Sequence, residues 1–144
     1  MKGQVTEKFH LTEKNITDKC IDDFCIKVTG QDQLIGNLSG GNQQKVVIAR
    51  TLATNPKLII LDEPTRGIDA AARGDVYGII NHLKEQGFSV LLISSDMEEI
   101  IELSDRAVTM FQGRINHTFQ KADINQNNLM NAAFGVYDEK KEGE

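Results

Sequence analysis

The 144-residue sequence lacks the loop G-x-x-x-x-G-K-S/T, whose backbone amides and lysine would cradle a bound phosphate group. It also lacks any apolar run close to the roughly 20 residues that a helix needs to cross a bilayer. We therefore expect no phosphate loop of its own and no membrane span within these residues. Docking onto a membrane protein stays open.

Cysteine is scarce as well. Cys20 and Cys25 are the only two, and their spacing is neither a C-x-x-C redox pair nor a common metal-binding spacing. Both lie among apolar residues of an expected helix, so we expect them to be buried free thiols in a reducing compartment.

Charge and composition narrow the class of protein. The sequence is 40% apolar and 26% charged, as in a globular domain, and its length suits one domain with a sizeable core. Acidic residues outnumber basic ones by 21 to 16, which gives a formal net charge of −5. This balance argues against a broad nucleic-acid surface, and we expect no nucleic-acid partner.

Hydrophobic periodicity predicts alternating helices and strands, which is typical of an α/β fold with a mainly parallel sheet flanked by helices. The apolar runs 58–61 and 88–93 are typical of strands that are buried on both faces. Residues 107–119 predict a hairpin, and 138–144 predict a disordered tail. The expected helices cover 16–28, the stretch from Ser39 to Asn55, 69–87, 96–103 and 124–134.

Ser39, Gly40 and Gly41 form a turn ahead of an apolar-periodic helix. Glycine lets a backbone approach a ligand closely, and the start of a helix offers unpaired N–H groups and a partial positive charge. The turn can therefore bind an anion. A plain helix cap with a flexible lead-in is the alternative.

Asp62 and Glu63 follow the apolar run 58–61, where a buried strand leaves the sheet. Cleavage of a phosphoanhydride needs a hard cation beside the phosphates and a group that orients or deprotonates the attacking water. Two neighbouring carboxylates at a strand end can supply one function each. A solvated strand terminus is the alternative.

The order and spacing of these segments resemble the ATP-binding cassette (ABC) proteins. Residues 38–46 resemble the ABC signature motif, 58–65 the Walker B segment, and 66–69 the D-loop. The resemblance implies a partial P-loop NTPase (ABC ATPase) fold. In it, 1–37 would be a remnant of the helical subdomain, 38–119 the C-terminal part of the core, and 120–144 a last helix and tail.

By the same resemblance, the cofactors would be ATP and Mg²⁺. Asp62 would bind Mg²⁺ through water, Glu63 would act as general base, and Asp69 of the D-loop would help connect two sites of a dimer. The signature would face the γ-phosphate that a partner's P-loop holds. Its phosphate-facing residues would be Ser39, Gly40, Gly41 and Asn42, with Gln43 behind them.

Ser95 stands where most ABC ATPases carry a histidine that contacts the γ-phosphate. A serine hydroxyl can donate a hydrogen bond to phosphate, but it has less reach and no positive charge. We therefore expect at most a contact from Ser95.

The combination of segments 39–45, 62–69 and 93–99 resembles the second cassette of duplicated ATPases that import simple sugars such as ribose, galactose or xylose, or an autoinducer. This implies a complete cassette as head-to-tail partner and membrane permease subunits. A solute-binding protein would be involved only indirectly. The place would be the cytoplasmic face of the membrane.

The sequence also lacks the adenine-stacking aromatic and the Q-loop of a complete cassette, so we expect a C-terminal piece that alone turns over ATP negligibly. Three alternatives remain open. One is a non-catalytic docking or regulatory fragment whose docking surface is 11–37, and another is an ABC ATPase of DNA maintenance or translation. The last is an inactive remnant with an exposed apolar sheet edge.

Overall fold

A computed structural model describes residues 2–136, and for 2–11 it describes the backbone alone. Helices and strands alternate, which confirms the α/β class. Two short 3-10 turns lie at Ile35–Asn37 and Lys121–Asp123. The principal elements are α1 (Lys2–Asp23), α2 (Gly40–Leu52), β1 (Leu58–Asp62), α3 (Ala70–Glu85), β2 (Ser89–Ile93), α4 (Met97–Leu103), β3 (Arg106–Phe111), β4 (Arg114–Gln120) and α5 (Gln126–Ala133).

The chain divides into two compact units, Met1–Leu91 and Leu92–Glu144. The division of the sequence into 1–37, 38–119 and 120–144 stays a prediction. Across the described residues, no helix has the length and apolar character that a bilayer crossing requires. The predicted disorder of 138–144 lies outside the described residues.

In a strand–helix–strand connection, α3 joins β1 to its neighbour β2. The first unit ends within β2, after Leu91. The strand pair is parallel, as expected for such a crossover. Burial on both faces of the strands was predicted, and this is wrong: Leu58 and Ile60 are 53% and 59% exposed, whereas Ile59 is 1% exposed. Since the described residues cover one face of β1, the strand shows the alternation of a one-sided sheet.

Helix α1 begins at Lys2, 14 residues before the predicted start at Ile16, and it ends at Asp23, five residues before the predicted end at Val28. The reason is Cys25, whose φ of +47° is left-handed. The amide of Ile26 donates to the carbonyl of Ile21 at 2.9 Å, and that of Cys25 to Asp22 at 3.2 Å, which is the bonding pattern that closes a helix. Cys25 is exposed and Cys20 half-buried, so the prediction of two buried thiols is wrong.

The second unit is built on the predicted hairpin. Strands β3 and β4 pair in antiparallel register from Arg106 opposite Gln120 to Phe111 opposite Arg114. Gln112 and Gly113 between them both have positive φ, as in a two-residue hairpin turn. Helix α5 contacts β3 and starts two residues later than predicted. Together they enclose an apolar core of Ala107, Phe119, Ile124, Leu129 and Ala132.

Candidate functional site

The residue at the N-cap position of α2 does not cap the helix with its side chain. Ser39 occupies the N-cap position with extended backbone, as the sequence predicts, but its hydroxyl accepts no hydrogen bond from the amides of the first turn. Its Oγ instead accepts from Asn42 Nδ2 at 2.8 Å. No acidic residue lies in the first turn of α2. These amides therefore get neither an acceptor from Ser39 nor a compensating charge from their own turn.

Gly40 and Gly41 allow α2 to begin against the start of α3. A Cβ added to Gly41 would lie 2.4 Å from the Cβ of Ala72, and one added to Gly40 would lie 3.4 Å from Cγ2 of Ile68. The first distance is far below van der Waals contact, so Gly41 is needed for this approach. The structure thus brings the signature turn and the D-loop together.

The side chain of Asp69 caps the start of α3. Its Oδ1 accepts from the amides of Ala71 at 3.1 Å and Ala72 at 3.0 Å. These bonds favour the charged carboxylate and hold the pKa of Asp69 below its ordinary value, with the Ala72 amide as the largest cause. The structure shows Asp69 as a helix cap, while a role of Asp69 between two sites of a dimer stays a prediction.

Lys45 ties α2 to its neighbours, a link that the sequence analysis missed. Its side chain is 6% exposed, and Nζ lies 2.7 Å from Oδ2 of Asp75 on α3. The same Nζ donates to the carbonyl of Cys25 at 3.4 Å. The available signal was its register: Lys45 falls four residues after Gly41 and three before Ile48, on the buried stripe of α2.

The predicted acidic pair lies where β1 ends. Asp62 is the last residue of the strand and is exposed, whereas Glu63 is half-buried with φ +49°. The turn that follows is closed by a bond from the amide of Arg66 to the carbonyl of Glu63, at 3.1 Å. Left-handed non-glycine residues are costly and persist where their surroundings fix them, often at functional sites.

The described residues contain no cluster of three or more acidic, histidine or cysteine side chains that could hold a metal ion. Mg²⁺ commonly binds one or two carboxylates and fills its remaining positions with water and substrate phosphates. The exposed Asp62 suits that donor set, and the uncapped start of α2 suits an anion. Asp62 therefore fits Mg²⁺, and the start of α2 separately fits a phosphate group.

Ser95 belongs to the second unit, in the exposed turn between β2 and α4. Its neighbours organise the start of α4: the amide of Asp96 donates to Ser94 Oγ at 3.0 Å, and Asp96 Oδ1 accepts from the amide of Glu98. The structure thus places Gly40 against Ile68 and Gly41 against Ala72, on either side of Asp69 in the chain, and it describes Ser95 by itself. A phosphate contact of Ser95 stays a prediction.

Comparison with known proteins gives a consistent result. Residues 4–66 match the family model described as ABC transporter. The ribose import ATP-binding protein RbsA of Caldanaerobacter subterraneus subsp. tengcongensis is 46% identical over 123 residues, which are 85% of this chain and 25% of that protein.

Solved structures agree with this result. MJ1267, an ATP-binding cassette of an ABC transporter, matches with a TM-score of 0.72 at 29% identity, over 84% of this chain and 47% of that one. The bacterial ABC transporter cassette MJ0796, solved as a dimer, matches with a TM-score of 0.65 at 25% identity, over 74% and 46% of the two chains.

The chain thus spans about a quarter of the curated relative and just under half of the two solved cassettes. Over that part it has the fold of an ABC ATPase cassette, with helices and a parallel strand pair. The chain is therefore similar, in sequence and in fold, to one part of the ATP-binding proteins of ABC transporters.

Proposed function

We propose that this chain supplies the signature side of a composite ATP site whose P-loop comes from a complete cassette. The observation that carries the proposal is the start of α2, where Ser39 leaves the first amides without a cap. Such a helix start favours a polyanion. Ser39, Gly40, Gly41 and Asn42 face the γ-phosphate in this arrangement, and Gln43 lies behind them.

Asp62 and Glu63 serve the hydrolytic step at the other composite site of the cassette pair. Asp62 holds Mg²⁺ through water, and Glu63 orients and deprotonates the attacking water. The exposure of Asp62 and the fixed, left-handed backbone of Glu63 support this assignment. Mg²⁺ offsets the charge of the phosphates when it is bound.

The transported solute is a simple sugar or a related small molecule. The 46% identity to a ribose import ATP-binding protein supports this class. The subunit acts with membrane permease subunits on the cytoplasmic face of the membrane. ATP binding closes the cassette pair and drives the permease, and hydrolysis and release then reopen the pair.

Titration of the purified chain into the full-length ribose import ATP-binding protein named above tests the proposal. We expect association that needs MgATP and is lost with EDTA, and negligible ATPase activity of the chain alone. Glu63→Gln should retain the association, because it blocks hydrolysis and leaves the signature intact. Brisk Mg²⁺-dependent turnover by the lone chain, abolished by Glu63→Gln, would show that the site needs no partner.

A second candidate function is a docking module without catalysis. A cavity of about 330 Å³ lies between α1, the connector after it and α2, and its lining is mainly apolar. Ile16 and Ile35, which line it, are 45% and 50% exposed. An apolar side chain of a permease loop fits this chemistry.

A pull-down with the cognate permease subunits distinguishes the two functions. A docking module binds with or without nucleotide, and Ile16→Asp weakens binding while Ser39→Ala does not. Absence of binding under every nucleotide condition contradicts the docking function.

A further inference from the structure

Asn42 connects two parts of the first unit by hydrogen bonds of opposite direction. Its Oδ1 accepts from the backbone amide of Lys27 at 2.9 Å, and its Nδ2 donates to Ser39 Oγ at 2.8 Å. A backbone amide can only donate, so the bond to Lys27 fixes which end of the Asn42 side chain is the oxygen. The remaining end, the NH₂ group, is then the one that faces Ser39.

This orientation determines what the Ser39 hydroxyl can do. An NH₂ group has no acceptor, so Ser39 Oγ must accept from it, and the hydroxyl hydrogen is left for another acceptor. Ser39 does not use its oxygen to cap α2 either. The hydroxyl is therefore prepared to donate, which is what binding of a phosphate oxygen requires.

The Lys27 end of the link is held in place independently. Cys25 has left-handed backbone, and its carbonyl accepts from the buried Lys45 at 3.4 Å. Ile26 between them is 6% exposed. The segment Cys25–Lys27, which follows the end of α1, is thus attached to the first two turns of α2 at two points.

We propose that Asn42 is a positioning residue that makes the orientation of the Ser39 hydroxyl depend on the position of Cys25–Lys27. When Lys27 is in place, the NH₂ group of Asn42 faces Ser39 and the hydroxyl donates outward. When the segment moves, the side chain of Asn42 is no longer held in one orientation. The Ser39 hydroxyl is then no longer directed to donate its hydrogen outward. This deepens the proposed function, on which it rests, and changes the role of Asn42 from phosphate contact to support.

The first test removes each end of the link in the full chain. Lys27→Pro deletes the backbone donor, Asn42→Ala deletes the relay, and Lys27→Ala is the matched control that keeps the amide. We expect Lys27→Pro and Asn42→Ala each to weaken MgATP-dependent association with the full-length ribose import ATP-binding protein by about tenfold. The double variant should be no weaker than either single one, because the two changes break one link.

The second test keeps the Lys27 bond and removes only the donor to Ser39. Asn42→Asp still accepts from the Lys27 amide but cannot donate, so the serine hydroxyl turns toward the new carboxylate. Amide hydrogen exchange of Lys27 should stay slow in this variant and in Ser39→Ala, and become fast in Asn42→Ala. Association should weaken by tenfold or more in Asn42→Asp, and higher salt should not restore it, as it would for simple charge repulsion.

The outcomes separate the two proposals. If the wild-type chain does not associate in MgATP, the proposed function fails and the positioning role fails with it. If the wild type associates and Lys27→Pro and Asn42→Asp bind as tightly, the composite site stands and the positioning role of Asn42 is wrong. If Lys27→Pro does not fold, as judged by circular dichroism, Asn42→Asp alone decides.

Discussion

Helices α2 and α3 are in contact at their first turns, where Gly41 faces Ala72. They differ in whether a side chain accepts hydrogen bonds from their first amides. Asp69 accepts from two amides at the start of α3. Ser39 stands at the same position of α2 and accepts from none. Both starts carry the partial positive charge of a helix dipole, and only that of α3 has a carboxylate as its cap. We call the start of α3 the closed start, because a carboxylate caps it, and the start of α2 the open start, because no side chain caps it.

The absence of a side-chain cap on α2 has a consequence for stability. An uncapped helix start loses about 1 kcal/mol relative to a capped one. Ser39 has a suitable oxygen within its own turn, and Asn42 occupies it. Helix α2 therefore lacks a side-chain cap that Ser39 could have supplied. Such a helix start is expected where a bound anion completes the cap.

The largest loss of stability is expected from adding a methyl group where the starts of α2 and α3 are in contact. Gly41→Ala places a methyl group 2.4 Å from the Cβ of Ala72, and neither group can move without its helix. We expect a loss of about 3 kcal/mol in the free energy of unfolding, at the upper end of overpacking effects. Gly40→Ala is the matched control, since its Cβ would meet Ile68 at 3.4 Å. Urea unfolding of both variants gives the comparison, and equal stabilities would show that the helices are not in close contact.

The next effect concerns the ion pair that holds the two helices together. Asp75→Ala takes the carboxylate away from the buried Lys45 ammonium and leaves it the Cys25 carbonyl, so we expect a loss of about 2 kcal/mol. Lys45→Met removes the buried charge and leaves Asp75 in solvent, and should cost less than about 1 kcal/mol. The order of the two urea midpoints is the measurement. A greater loss in Lys45→Met would mean that the other contacts of Lys45, such as its bond to the Cys25 carbonyl, matter more than the unpaired buried charge.

The starts of α2, α3 and α4 could be predicted from the sequence because their determinants are local. Ser39 and Asp69 precede apolar-periodic segments, and Asp96 does the same for α4. The hairpin turn at Gln112 and Gly113 is equally local. Such features depend on a few adjacent residues, which a single sequence contains in full.

The errors concern features that depend on distant residues. Whether Leu58 and Ile60 are covered depends on other layers of the fold, and the apolar run alone does not report them. The end of α1 depends on Cys25, a residue type that seldom adopts left-handed backbone. The bonds of Asn42 to Lys27 and of Lys45 to Asp75 join residues 15 and 30 positions apart, so no local pattern predicted them.

A smaller effect is expected at the closed start. Asp69→Ala removes two accepted bonds and should lower the melting temperature at pH 7, whereas Asp69→Asn keeps an acceptor and should lower it less. Because the folded-state pKa of Asp69 lies below its unfolded value, its stabilisation is present above the unfolded pKa of about 4 and is lost as pH falls through the folded pKa. The difference between wild type and Asp69→Ala should therefore shrink below pH 4. A difference that persists at pH 2 would mean that the charge of Asp69 does not contribute.

The smallest effect on stability is expected at the open start, and it gives the comparison its sharpest test. Ser39→Ala removes a hydroxyl that caps nothing, so the free energy of unfolding should change by less than about 0.5 kcal/mol. MgATP-dependent association should nevertheless weaken by about tenfold, because the prepared donor is gone. Asn125→Ala is the control, since it removes the side-chain cap of another helix, α5, and leaves Ser39 untouched. If Ser39→Ala destabilises the chain as much as Asp69→Ala, Ser39 is an ordinary cap, and the contrast between the two helix starts has no functional meaning.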